Sequence, residues 1–178
     1  MNLHPNPSPL PRPVATPTGG PSADVAACLA EVQALARALA EELLVHVRLG
    51  PGLPRAACDP ADLKSALLHL VFNARDAMAG RGLVSIRAMR ALHGDVPAVE
   101  LRIADTGIGM APHTLARALD PCFTTKCEGL GGAGLPMVEQ FVRDAGGALA
   151  IESTPGLGTR VTLRLPATAV ESEPISRE

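Results

Sequence analysis

The run Gly129-Leu130-Gly131-Gly132-Ala133-Gly134 constrains this chain more than any other feature, because of what stands before it. It satisfies the pattern G-x-G-x-x-G, and a dinucleotide-binding fold requires that pattern to follow a strand directly. Here Pro121-Cys122-Phe123-Thr124-Thr125-Lys126 precedes it, with no strand alternation, so an NAD-dependent enzyme is disfavoured. No G-x-x-x-x-G-K-[ST] run occurs, which removes the P-loop solution. What remains is a glycine-rich loop feeding a helix N-terminus, where unpaired amides and the helix dipole converge on an anion such as phosphate.

The periodicities on either side alternate between helix and strand. Val25, Cys28, Leu29, Val32, Leu35, Leu39 and Leu43 recur at three-to-four spacing, which predicts an amphipathic helix over 24–44, then a short strand over 45–48 stopped by Gly50-Pro51. Asp59-Pro60 starts a second helix: Asp59 can cap orphan amides, and Pro60 suits the first helical position because its missing N–H would be unpaired there. That helix runs to about Ala79, with Gly80 as its stop. Strict alternation predicts strands over 84–88 and 99–103, the second ending at Asp105. A helix over 135–145, closed by Gly146-Gly147, and a final strand pair over 148–153 and 159–165 complete the body. The expected fold is an α/β two-layer sandwich, a mixed sheet covered on one face by helices.

Composition sets the limits. At 178 residues, 47% hydrophobic and 19% charged, the chain has a core for one domain, expected over 23–166. Seven of the 17 prolines fall in 1–22, a Pro-rich disordered arm, and 167–178 reads as an acidic flexible tail. Sixteen basic residues against 18 acidic ones give a net charge of −2, so there is no basic field for nucleic acid or an anionic membrane. With no Trp, no Tyr and three Phe, base-stacking platforms are excluded as well. Cys28, Cys58, Cys122 and Cys127 form no C-x-x-C pair, and zinc on Cys122 and Cys127 would lack two ligands nearby, so reduced thiols in a cytoplasmic protein are expected. No apolar run approaches the about 20 residues that span a bilayer.

Two places carry chemistry-bearing side chains. On the second helix His69, Asn73 and Asp76 fall on one stripe beside the apolar arc. A solvated helix face accounts for that spacing, while Asn73 is also well placed to ligate a hard cation through its amide oxygen. At the strand end, Asp105-Thr106-Gly107-Ile108-Gly109-Met110 is either a plain turn or a carboxylate set to accept from an exocyclic amine, its glycines letting backbone approach a planar ligand.

In order and spacing, the segments Asn73-Ala74-Arg75-Asp76-Ala77-Met78, Asp105-Thr106-Gly107-Ile108-Gly109-Met110, Phe123-Thr124-Thr125-Lys126 and Gly132-Ala133-Gly134-Leu135 resemble the N, G1, F and G2 boxes of the histidine-kinase ATP-binding domain. That domain has the Bergerat fold, shared with gyrase, Hsp90 and MutL. The resemblance implies that Asn73 coordinates a Mg²⁺ bridging the ATP phosphates, beside Asp76, and that Asp105 reads the adenine amino group with Gly107 and Gly109 giving room for the ring. It implies a mobile ATP lid over 110–131, anchored by Phe123, with Thr124, Thr125 and Lys126 beside the nucleotide and Lys126 near the phosphates. Gly132, Gly134 and Leu135 then close the phosphate site. Such a site acts by positioning and electrostatic stabilisation of phosphoryl transfer.

The departures from the family pattern are equally specific. Leu130 stands where the first glycine of the usual run belongs, and Pro136 follows Leu135. His69 occupies the position, four before the motif Asn, where hydrolysing members often carry Glu; it is the catalytic candidate there, and slow intrinsic ATPase is expected. His4, His46, His69, His93 and His113 are followed by Pro, Val, Leu, Gly and Thr, so none matches a phosphoacceptor His followed by an acidic residue. The resemblance therefore implies a protein-histidine kinase module whose histidine lies on a separate or missing domain, with ATP, ADP and a response-regulator pathway protein as partners. The other readings are a non-catalytic, nucleotide-gated regulatory module and an anti-sigma-type serine kinase.

Overall fold

The structure, a computed structural model, describes residues 20–40, 42–120 and 134–168. Aspartates start its two long helices. Asp24 caps α1 (Val25–Leu39) by accepting from the Ala27 N–H at 3.0 Å, and Asp59 caps α2 (Pro60–Ala77) by accepting from the Ala61 N–H at 2.7 Å, with Pro60 in the first turn.

Both helices end earlier than their sequence patterns. Leu35 and Leu39 are 43% and 63% exposed, so the buried stripe of α1 stops at Ala36, and Leu43 is the first residue of strand β1 (Leu43–Leu49). Its four-residue spacing from Leu39 arises because a strand residue reaches the same core, opposite Gly82 in the ladder. At the end of α2 the left-handed turn begins at Ala79, with φ +55°, and continues into Gly80, whose N–H donates to the Arg75 carbonyl at 2.9 Å.

Strands β2 (Gly82–His93) and β3 (Val96–Ala104) form a hairpin longer than their alternation, reaching Gly94 at φ +62°. The ladder continues through Leu92 and Pro97 after the side chains cease to alternate cleanly. After the short α3 (Pro112–Leu115) and α4 (Gly134–Asp144), β4 (Ala148–Thr154) and β5 (Gly158–Pro166) complete a five-stranded sheet of order β1-β2-β3-β5-β4. Only β1 and β2 pair in parallel, so the sheet is mixed.

Alternation directs one face of the sheet to the helices. Ile86, Leu101 and Leu163 from the strands meet Leu29 of α1, Leu67 of α2 and Val138 of α4 in one buried cluster, with α2 touching both other helices. The termini of the body are stitched to the loop before α2, since Ala56 bridges both Ala23 and Ala167. Ala167 and Thr168, which the sequence assigns to the tail, still donate to the Pro97 and Arg55 carbonyls at 2.8 and 2.9 Å.

Two buried features bear on reactivity. Burial pushes the Cys58 thiol up to about 12, with Cys28, Asp59 and Asp62 adding to it, and burial raises Cys28 as well, so both thiols stay protonated at neutral pH. On the opposite sheet face, Glu100 is 3% exposed and bonded by the Nε of Arg102 at 2.6 Å and of Arg164 at 2.7 Å. Burial pushes its carboxyl up, yet the two guanidinium groups outweigh burial and hold it below the ordinary 4.5. No helix among the described residues is long and apolar enough to cross a membrane.

Candidate functional site

A cavity of about 270 Å³ opens between α2, the adjoining ends of β3 and β5, and the start of α4. Leu70, Ala74, Ile103 and Val161 supply its apolar walls, and Asn73, Asp105 and Thr159 its polar atoms. Leu70 and Ala74 are buried residues of α2 that also line this pocket. An apolar pocket with a few convergent polar groups is the usual form of a small-molecule site.

Asp105 is fixed by its surroundings. β3 ends at Ala104, and the Asp105 N–H donates to the Thr159 carbonyl at 2.9 Å. Its Oδ1 accepts from the Gly107 N–H at 2.8 Å and the Thr159 N–H at 3.2 Å. Oδ2 has no hydrogen-bond partner among the described residues, and the side chain lines the cavity. Two amides thus orient the carboxylate and leave one acceptor for a ligand N–H.

The glycines after Asp105 make room first for protein. A Cβ on Gly107 would lie 2.7 Å from the Ala77 carbonyl oxygen at the end of α2, and one on Gly109, at φ +65°, would overlap the Thr154 carbonyl. The Ile108 N–H donates to the Ala77 carbonyl at 3.0 Å, satisfying an orphan helix-end acceptor. From the other side the Gly156 N–H donates to the Ile108 carbonyl at 2.7 Å, and Ser153 Oγ accepts from the Met110 N–H at 2.8 Å. The β4–β5 turn therefore buttresses the loop that carries Asp105. Ser153, Gly158 and Thr159 are the site residues that sequence reasoning missed; the hairpin is legible, but nothing local says which loop it supports.

On α2, Asn73 and Asp76 line the cavity, while half-buried His69, one turn earlier, is not among its lining residues. Arg75 bonds Asp76 Oδ1 through Nη2 at 2.9 Å and lies 5.0 Å over the Phe72 ring. Gly134 and Leu135 reach the cavity from α4, and a Cβ on Gly134 would meet the Asn73 amide nitrogen at 3.0 Å. Phe123, Thr124, Thr125, Lys126 and Gly132 lie outside the described residues.

Residues 58–169 match the family of histidine kinase-, DNA gyrase B- and HSP90-like ATPases. The chain belongs to that family. Among curated proteins it is 36% identical over 122 residues to the sensor histidine kinase ZraS of Escherichia coli O157:H7, covering 68% of this chain and 26% of that protein. It is 39% identical over 111 residues to the two-component sensor PprA of Pseudomonas aeruginosa, covering 60% of this chain and 12% of that one. This chain thus spans about a quarter or less of the length of these relatives. Among solved structures, the mycobacterial sensor histidine kinase MprB superposes with a TM-score of 0.71 at 23% identity, over 85% of this chain and 99% of that one. Full-length ShkA in complex with AMPPNP superposes with a TM-score of 0.72 at 28% identity, over 88% and 33%. The five-stranded mixed sheet with helices on one face is the histidine-kinase catalytic-domain fold, and the domain is of the ATP-binding type.

Proposed function

We propose that this chain is the ATP-binding catalytic domain of a two-component sensor histidine kinase, passing the γ-phosphate of Mg-ATP to a histidine on a separate phosphoacceptor domain. The observation that carries this reading is Asp105: one carboxylate oxygen locked by two amides, the other open at an apolar cavity. That is the arrangement needed to accept from an adenine amino group while the ring lies against Leu70, Ala74 and Ile103. The names of ZraS and PprA support the same reading.

Asn73 fits as the protein ligand of Mg²⁺, because an amide oxygen is a hard donor and it stands at the cavity wall near Asp76. When bound, the metal neutralises charge on the phosphates. Gly134 and Leu135, at the start of α4, face the phosphate end, where helix amides suit an anion. Lys126, Phe123, Thr124, Thr125 and Gly132 keep the roles the family pattern gives them. His69 does not line the cavity, which agrees with slow hydrolysis in the absence of an acceptor. The reading places the chain in the cytoplasm, with a phosphoacceptor domain and a response-regulator pathway as its partners.

The test is transfer of label from γ-labelled ATP to helical hairpins bearing a His followed by an acidic residue. The expected product is an acid-labile phosphoacceptor, absent with Asp105→Asn. An acid-stable product would indicate serine-kinase chemistry, and intact ATP binding with no transfer to any hairpin would indicate a binding module.

A further inference from the structure

We infer that the sheet face opposite the helices is a docking surface for an acidic polypeptide segment, with Arg48, Arg87 and Arg102 as its central row. The three arginines stand directly across from one another on β1, β2 and β3 and are exposed. Like charges opposite one another on neighbouring strands destabilise a sheet, so the row works against the fold that carries it.

The row continues onto β5. Thr162 lies opposite Arg102, with Arg160 and Arg164 two residues to either side. Arg102, Arg160, Thr162 and Arg164 border a hollow of about 410 Å³. Glu100, buried beneath, bonds Arg102 and Arg164 through their Nε atoms alone, which orients both guanidinium groups and leaves their outer nitrogens for a ligand. Glu152 pairs with Arg160 at 3.1 Å. Five arginines thus meet two carboxylates on this face, and Arg48 and Arg87 have no carboxylate partner among the described residues.

The dimensions and composition select the occupant. From β1 to β5 is three strand spacings, about 14 Å, more than a small anion covers. The described face carries no Phe, Tyr or Trp side chain on which bases could stack. An extended run of Asp and Glu spans the row and pairs with the arginines without needing a stacking platform.

The test uses the full chain and a fluorescent oligo-glutamate of about ten residues, long enough to cross the row. Anisotropy is expected to show binding that weakens as salt rises, and that falls at least about fivefold in the double variant Arg48→Ala/Arg87→Ala. The pair Arg37→Ala/Arg143→Ala, on the helices, is expected to change it less than twofold. ATP affinity and the thermal midpoint of the Arg48/Arg87 variant should not fall. Absence of binding at low salt, or an equal loss in the helix pair, overturns the proposal. So does equal or tighter binding of an oligothymidylate of the same charge, which would assign the face to nucleic acid.

Discussion

Asp105 and Thr159, 54 residues apart in sequence, hold each other through two hydrogen bonds: the Asp105 N–H donates to the Thr159 carbonyl at 2.9 Å, and the Thr159 N–H donates to Asp105 Oδ1 at 3.2 Å. The adenine-facing carboxylate of the proposed site is therefore part of the β3–β5 edge, and its orientation is set before any ligand arrives. Preorganisation of this kind spares the ordering cost otherwise charged to binding.

Asp105→Asn separates the two oxygens. The amide Oδ1 still accepts from Gly107 and Thr159, while the open position becomes an N–H donor facing another donor. ATP affinity is expected to fall about tenfold or more, from the about 1.5–3 kcal/mol of a charged hydrogen bond, with little change in thermal midpoint. Calorimetric titration beside a melting curve reads both, and an unchanged affinity removes Asp105 as the adenine contact.

Gly158→Ala addresses the buttress. Gly158 has φ +92°, and a Cβ there would overlap the Asp105 carbonyl. A loss of stability of at least about 2 kcal/mol is expected, from left-handed strain and displaced backbone together. Denaturant unfolding measures it, and a near-neutral result would show that the loop and turn are not rigidly joined.

Ala79→Gly should act in the opposite direction. Ala79 is exposed and left-handed at φ +55°, a conformation that penalises any side chain. Relief of that strain exceeds the added entropy of an unfolded glycine, so stability is expected to rise by about 0.5–1 kcal/mol. A lower midpoint in the variant would count against the helix end described here.

Glu100 fixes the sign of one pH dependence. Its folded carboxyl lies below the ordinary 4.5, so its contribution is fully present above that pH. As the pH falls below 4.5 the unfolded chain takes up the proton first, and the contribution is lost as the pH passes through the folded value. Glu100→Gln should lower stability at pH 7 and flatten the acid limb of the stability curve; an acid limb as steep as the parent's would show that other carboxylates carry it.

Much of this was legible in sequence, for physical reasons that differ by element. Asp59-Pro60 marks the start of α2 because capping is local chemistry, and the strands carrying Val84 and Leu101 alternate because one face is buried. Asn73, Asp105 and Gly134 reach one cavity, as their order in the family pattern implies. The spacing of Leu43 continues the helical pattern although it opens β1, because spacing alone does not distinguish the end of a helix from a strand entering the same core. The purpose of Gly107 and Gly109 was hidden because it depends on Ala77 and Thr154, which approach only in the folded chain. The support from Ser153 and Thr159 was hidden for the same reason.

The most direct measurement of the central claim is calorimetric titration of ATP and ADP into the chain, with and without Mg²⁺. The account predicts saturable, micromolar ATP binding that strengthens with Mg²⁺ and is weakened by Asp105→Asn. No heat of binding at millimolar ATP with Mg²⁺, in a chain shown to be folded by its melting transition, would contradict it.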